Sequence, residues 1–154
     1  MKIRAYHLGE EQKIWQLFHD TIQHINAEHY SQKQLHAWAP PLFDQSLWSK
    51  KLAKLSSFVC VKEEKIVGYS DLQQNGYIDH FFCHHQYQGV GVGTALMVHI
   101  HTLAKQRGIT QLTADVSITA KLFFEGKGFK VVKQQDVLIR GQILRNFKML
   151  KPLL

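Results

Sequence analysis

Cysteine is scarce in this chain: Cys60 and Cys83 are the only two, without the spacing of a zinc site and too few for a disulfide framework. Both fall in apolar, strand-like segments, so they are expected to be reduced core thiols. Long hydrophobic runs are missing as well. No stretch approaches the length needed to cross a bilayer, and the opening MKIRAYH alternates like a strand instead of running apolar as a signal peptide would. The expected location is the cytoplasm, with no membrane partner. Ten histidines are present, but the closest pairs, His84 with His85 and His99 with His101, lack the i,i+4 spacing that places two imidazoles on one helix face, so no metal is expected. Acids thin out toward the end. From position 117 onward eight basic residues stand against Glu125 and Asp136, yet the lysines lie singly along strand-like segments without a recognition helix, which disfavours nucleic acid and suits a phosphate-bearing small molecule. At 154 residues and 45% hydrophobic content, the chain is read as one domain, 1–154, with a core of its own.

Periodicity supplies the elements. Residues 2–7 read as a strand, and Ile14, Leu17, Phe18, Thr21, Ile22 and Ile25 recur at helical spacing. Ser31-Gln32-Lys33-Gln34 is a capping box opening a short helix that Pro40 and Pro41 stop, and Asp44 caps another through Leu47, Trp48 and Leu52. Three β-rich runs follow at 58–62, 66–73 and 77–83, joined by Glu63-Glu64 and a turn holding Asn75-Gly76, and read as an antiparallel meander. A helix striped with Val92, Leu96, Ile100 and Leu103 ends at Gly108. A strand at 112–116, a short helix to Gly126 and a hairpin of 131–139 with 142–149, turned at Arg140-Gly141, complete the chain. Trp15, Trp38 and Trp48 all lie in the N-terminal helical part, where they either pack on the sheet or, with Tyr30, wall a pocket.

Between the third β-run and the long helix lies His84-His85-Gln86-Tyr87-Gln88-Gly89-Val90-Gly91-Val92-Gly93-Thr94-Ala95. Glycines allow close backbone approach, and the first turn of the helix leaves its N–H groups unpaired, so this stretch is a cradle for an anion such as a pyrophosphate. It is no nucleoside-triphosphate loop, because no lysine follows the last glycine. A dinucleotide fingerprint begins well, with Gly89-Val90-Gly91 and Asp115 downstream, but Thr94 stands where the third glycine belongs and too little chain remains for a doubly wound sheet.

The spacing Gln88, Gly91, Gly93 resembles the Q/R-x-x-G-x-G/A acyl-CoA signature of the GNAT superfamily of N-acetyltransferases. Ala120-Lys121-Leu122-Phe123-Phe124-Glu125-Gly126-Lys127-Gly128-Phe129 is similar to that superfamily's second motif, and Ile66-Val67-Gly68-Tyr69 with the following run to the hairpin leading into the signature. The resemblance covers residues 57 onward, about two-thirds of the chain. It implies an α/β (α+β) fold whose mixed, largely antiparallel central sheet is splayed at the acyl-CoA site, flanked by helices and closed by a C-terminal hairpin. It implies acetyl-CoA as acyl donor, with pantetheine and thioester held by main-chain groups near Phe82, Cys83 and His84. The pyrophosphate would lie on the amides of Gln88, Gly89, Val90, Gly91, Val92, Gly93 and Thr94, with Ser117, Phe123, Phe124 and Lys127 completing the cofactor site. The implied partner is an amine, of a small molecule or of a protein, on a monomer or homodimer.

Acetyl transfer needs a neutral amine, an acceptor for its proton and a donor for developing negative charge. Asp79, sharing a strand face with Tyr77, Phe81 and Cys83 by strict alternation, is the first candidate to orient or deprotonate the amine. Asp71 on the preceding run and Tyr77 are the alternatives. Phe124 stands where many members of the superfamily carry a tyrosine that protonates the leaving thiolate, so Tyr87, another tyrosine or water must act there. Ser117 stands where an asparagine is common. A non-catalytic acyl-CoA-binding module is the competing reading, and a basic nucleic-acid-binding protein the third.

Overall fold

The computed structural model describes residues 1–153. The first half supplies β1 (Lys2–Ala5), α1 (Glu11–His24), α2 (Gln32–Trp38), α3 (Gln45–Leu55), β2 (Phe58–Lys62) and β3 (Lys65–Ser70). Beyond these come β4 (Tyr77–Ile78), β5 (Phe81–Cys83), α4 (Val92–Arg107), β6 (Gln111–Ser117), α5 (Lys121–Gly126), β7 (Lys130–Ile139) and β8 (Gln142–Pro152), with single 3₁₀ turns at Asn26–Glu28 and His85–Tyr87. Local chemistry accounts for the ends. Ser31 accepts from the Gln34 amide while the Gln34 side chain accepts from the Ser31 amide, and Asp44 accepts from Leu47. Glu63 and Glu64 both take positive φ in the tight turn between β2 and β3, as the right-handed twist of a hairpin demands.

Strands lie in the orders β1-β2-β3-β5 and β4-β6-β8-β7, antiparallel throughout except for the parallel pair β4 with β6. Residues 77–83, read from sequence as one strand, are therefore two, one in each sheet. The cause is Asp71, which lies just past the end of β3 and is fully buried. Its carboxylate accepts from the His80 amide at 2.6 Å, the Asp79 amide at 3.1 Å and Gln73 Nε2 at 2.6 Å. Two consecutive amides turned onto one side chain cannot both serve a strand ladder, so pairing stops and the sheet opens there. The alternation that placed Asp79 on one face with Tyr77, Phe81 and Cys83 is broken at the same point. The 66–73 run likewise ends at Ser70, since Asp71 and Gln73 are committed to the break.

Two apolar clusters flank the opening. In one, Leu96 and Ile100 of α4 pack with Leu112, Phe124, Phe129 and Met149, each full burial contributing about 1.5–3 kcal/mol. In the other, α1, α2 and α3 bring Ile14, Ile22, Leu35 and Leu52 onto Val59, Tyr69 and Leu144. Leu144 belongs to the C-terminal hairpin, which polar clasps hold against the α2 region: Gln34 Nε2 donates to the Ile143 carbonyl at 2.8 Å and Arg140 to the Ala37 carbonyl at 2.7 Å.

Candidate active site

Gly91 begins α4 with φ of 96° and no side-chain cap, and Gly89 has φ of 72°, backbone conformations that favour glycine. The first-turn amides of α4 therefore face an open cavity of about 450 Å³, whose lining includes Gln88, Gly89, Gly91, Gly93, Thr94 and Lys127. Lys127 Nζ donates to Thr94 Oγ1 at 2.9 Å and adds positive charge to the helix dipole. Val90 is exposed and Val92 buried in the core, so at these positions the cradle is backbone. Gly93 has a different task. A Cβ there would lie 2.9 Å from the Phe123 ring, so its missing side chain lets α4 approach α5. Gln88 folds back on the strand end, its Nε2 donating to the carbonyls of Cys83 at 2.9 Å and His84 at 3.2 Å.

From the cradle a narrow gap of about 150 Å³ leads between the diverging strands, walled by Phe81, Phe82, Cys83, Ser117, Ala120, Phe123 and Phe124 among others. The His84 amide bonds to Val67 at 2.8 Å, so by antiparallel alternation the main chain of Phe82 and His84 faces β3 while that of Phe81 and Cys83 faces the gap. Of the three residues near which main-chain contacts are expected, Cys83 is the one whose backbone faces the gap. The Cys83 carbonyl already accepts from Thr21 Oγ1 and Gln88 Nε2, both at 2.9 Å, which leaves the amides of Phe81 and Cys83 directed into the gap. Nor is Cys83 a plain core residue: it is half-buried on the gap wall, and burial pushes its thiol up to about 12. Ser117 Oγ accepts from the Ala120 amide at 3.0 Å and leads the chain into α5. Phe124 is buried against the rings of Phe81 and Phe129, and Tyr87 lies at the cradle end, beneath Lys65.

The gap opens into a third cavity of about 390 Å³. Phe18, Tyr30, Trp38 and Phe82 form its aromatic wall, and Val137, Ile139 and Leu144 of the hairpin face them. Its polar groups come from the sheet break, from Asp115 and Ser117, and from Arg140, Arg145 and Asn146 of the hairpin. Tyr77 donates to Asp115 at 2.9 Å, and burial together with the Asp115 charge raises its hydroxyl, which stays protonated. Asp79 is ion-paired with Lys51 at 2.8 Å. His80 lies at the break itself, its ring packed near Phe18, Trp48, Tyr69 and Phe82. Burial there pushes the imidazole down to about 4, against the pull of Asp79, and Lys51 lowers it further.

The profile of a family described as Acetyltransferase (GNAT) domain matches residues 26–149. The chain belongs to the GNAT acetyltransferase family. This GNAT chain is 38% identical over 149 residues to the uncharacterized N-acetyltransferase YafP of Escherichia coli K12, covering 97% of the chain and 94% of that protein. Among solved structures it is similar to a GCN5-related N-acetyltransferase from Rhodopseudomonas palustris, with a TM-score of 0.95 at 30% identity over 99% of this chain and 95% of the other. It also shares the fold of the PaiA N-acetyltransferase from Thermoplasma acidophilum, solved in complex with coenzyme A, with a TM-score of 0.78 at 14% identity over 98% of both chains.

Sequence reasoning passed over three residues of this GNAT site. Thr21 was read only as part of a helical stripe, and Lys51 carried no signal. His80 was one histidine among ten, and only the break in the strand marks it out. Asp71 was weighed as a base, whereas the structure commits its carboxylate to the amides that shape the break. Its burial outweighs those hydrogen bonds and raises it to about 6, with the Asp79 charge adding to the rise. Across the window from the ordinary carboxylate value of about 4 up to about 6, the folded protein holds a proton that the unfolded chain has released. Stability relative to an Asp71→Asn variant should therefore fall as pH rises through that window and level off above it. Urea melts of both proteins at several pH values check this, and parallel curves would show that Asp71 titrates as an ordinary carboxylate.

Proposed function

We propose that this acetyltransferase moves an acetyl group from acetyl-CoA directly to a primary amine carried on a small apolar or aromatic body. The observation that carries the reading is continuity. Cys83, Gln88 and Phe123 line both cradle and gap, while Phe81, Phe82, Ser117, Ala120 and Phe124 line both gap and third cavity. The parts fit an acyl-CoA in order: free amides and Lys127 for the diphosphate, an unpaired strand edge for an amide-bearing arm, and an aromatic-walled end for the acyl group. When bound, the thioester supplies an activated acyl carbon and a good leaving group. The CoA of the T. acidophilum neighbour is consistent with this assignment.

The chain's own groups then divide the remaining work. Asp79, ion-paired with Lys51, orients the amine and accepts its proton through water. Tyr69 is fully buried and its hydroxyl meets Nδ1 of His80 at 2.8 Å. A buried hydroxyl is satisfied by donating, which places the ring proton on Nε2. His80 is thus a neutral donor beside the acyl end, able to stabilise negative charge developing on the carbonyl oxygen. The aromatic wall, with Val137, Ile139 and Leu144 facing it, favours an acceptor with a ring or a compact hydrocarbon over a peptide, while Arg140 and Arg145 repel a polyamine.

Two measurements test the reading. Titration calorimetry should detect acetyl-CoA and CoA but not NADH; NADH binding without CoA binding would return the site to a dinucleotide. An amine panel assayed for CoA release should give its highest kcat/KM with arylalkylamines. Preference for spermidine or for peptide amines would refute the acceptor assignment, and CoA binding without turnover of any amine would leave a non-catalytic acyl-CoA-binding module.

A further inference from the structure

One charge lining the third cavity lacks an opposite charge among the described residues. The acids there are matched: Asp79 is held by Lys51, and Asp115 accepts from the Tyr77 hydroxyl and from Gln135 Nε2, both at 2.9 Å. Of the two arginines, Arg145 gives Nε to Asp136 at 3.3 Å. Arg140 gives Nη1 to a neutral group, the Ala37 carbonyl, at 2.7 Å, and meets no carboxylate among the described residues. With Nη1 occupied, the edge of the guanidinium formed by Nε and Nη2 is left over. That edge is a fork able to meet a carboxylate with two parallel hydrogen bonds.

The backbone makes the choice of arginine more telling. Arg140 and Gly141 form the two-residue turn between Ile139 and Gln142, with φ of 42° and 83°. Such turns take asparagine, aspartate or glycine at the first position, where a longer side chain bears the strain of the left-handed region. Arginine brings nothing to the turn itself, so its use lies in what the side chain reaches. A chain of contacts runs from His80 to Phe82, ring centres 5.9 Å apart, and from Phe82 to Trp38 at 6.2 Å. The next residue back is Ala37, whose carbonyl holds Arg140. The cavity is thus two-ended, with Asp79 and His80 at the sheet break, Arg140 at the hairpin turn and aromatic rings between.

We propose that Arg140 selects the acceptor, receiving on its Nε and Nη2 edge a carboxylate borne at the far end of the aromatic body that carries the amine. The inference rests on the acetyltransferase reading and narrows its acceptor class. An amine and an acid on one ring answer both ends of the cavity, the ammonium drawn toward Asp79 and the carboxylate toward the arginine. The carboxylate takes no part in the transfer itself.

The test is steady-state CoA release by the whole chain with three amines: phenethylamine, the same amine with a para carboxylate, and one with a para carboxyethyl arm. The better acid should exceed phenethylamine in kcat/KM by at least about tenfold, chiefly through KM, the scale of a charge-assisted fork. Arg140→Met should bring that ratio within about twofold. Arg140→Lys should give an intermediate ratio, because an ammonium keeps the charge without the fork, and Arg140→Glu should invert the preference. A residue that only clasps α2 would lower all three amines alike, and an unchanged ratio in the variants would overturn the proposal. Acids no better than phenethylamine in the wild type would overturn it too, leaving the acetyltransferase reading in place. CoA binding without turnover of any amine would remove that reading and this inference with it.

Discussion

A Gly91→Glu protein is expected to fold and to bind no acetyl-CoA at concentrations that saturate the wild type. Gly91 begins α4 at φ of 96°, and the nearest atom a Cβ would meet is Met1 Cε at 3.4 Å. Space is therefore available, and the substitution costs about 1–3 kcal/mol of backbone strain, with no collision in the core. Function is expected to suffer far more, because the carboxylate enters the first turn of a helix whose unpaired amides are the proposed anion site. Gly93→Glu would be a poorer test, since any side chain there drives into the Phe123 ring and confounds binding with packing. Calorimetry alongside a thermal melt separates the two effects. Unchanged acetyl-CoA affinity in a folded Gly91→Glu protein would place the diphosphate elsewhere.

His80→Phe and Asp79→Asn should each lower kcat by a factor on the order of 100 while leaving acetyl-CoA affinity near the wild-type value. They should do so for different reasons. Phenylalanine keeps the ring among Phe18, Trp48 and Phe82 but removes the Nε2 donor, so the loss falls on kcat with little change in amine KM. Asparagine at 79 leaves Lys51 without its partner and the amine without a carboxylate, so amine KM rises as kcat falls. The pH profile separates the roles further. Since burial keeps His80 neutral down to about 4, its loss should leave the shape of the curve between pH 5 and 8 unaltered. Steady-state kinetics with an amine found in the panel decide this, and wild-type kcat in either variant would dismiss that residue.

Much of this architecture is local and was legible from sequence for that reason. The capping box at Ser31 and Gln34, the Asp44 cap, the Arg140-Gly141 turn and the Val92, Leu96, Ile100 stripe each depend on residues within a turn or two of one another. The glycine turn into α4 was legible too, because glycine spacing and helix onset are adjacent in the chain. What stayed hidden depends on distant partners. Residues 77–83 alternate like a single strand, and only the carboxylate of Asp71, folded back across the turn, divides it. The role of Gly93 is set by Phe123 and that of Cys83 by Thr21, contacts across 30 and 62 positions that no periodicity encodes. The choice of His80 over nine other histidines follows from the same break.

The clasps between the C-terminal hairpin and the α2 region bear on how the molecule is made. Cradle and gap draw their latest residues from 127 and 124, whereas the third cavity needs Val137, Ile139 and Leu144 opposite Tyr30 and Trp38. Those partners are roughly a hundred positions apart, and closing such separations is the slow part of folding. During synthesis, then, every residue of cradle and gap has been made before the wall facing Tyr30 and Trp38 exists, while β6 still waits for its β8 partner. The chamber proposed for the acceptor is therefore the last part of the site to be supplied.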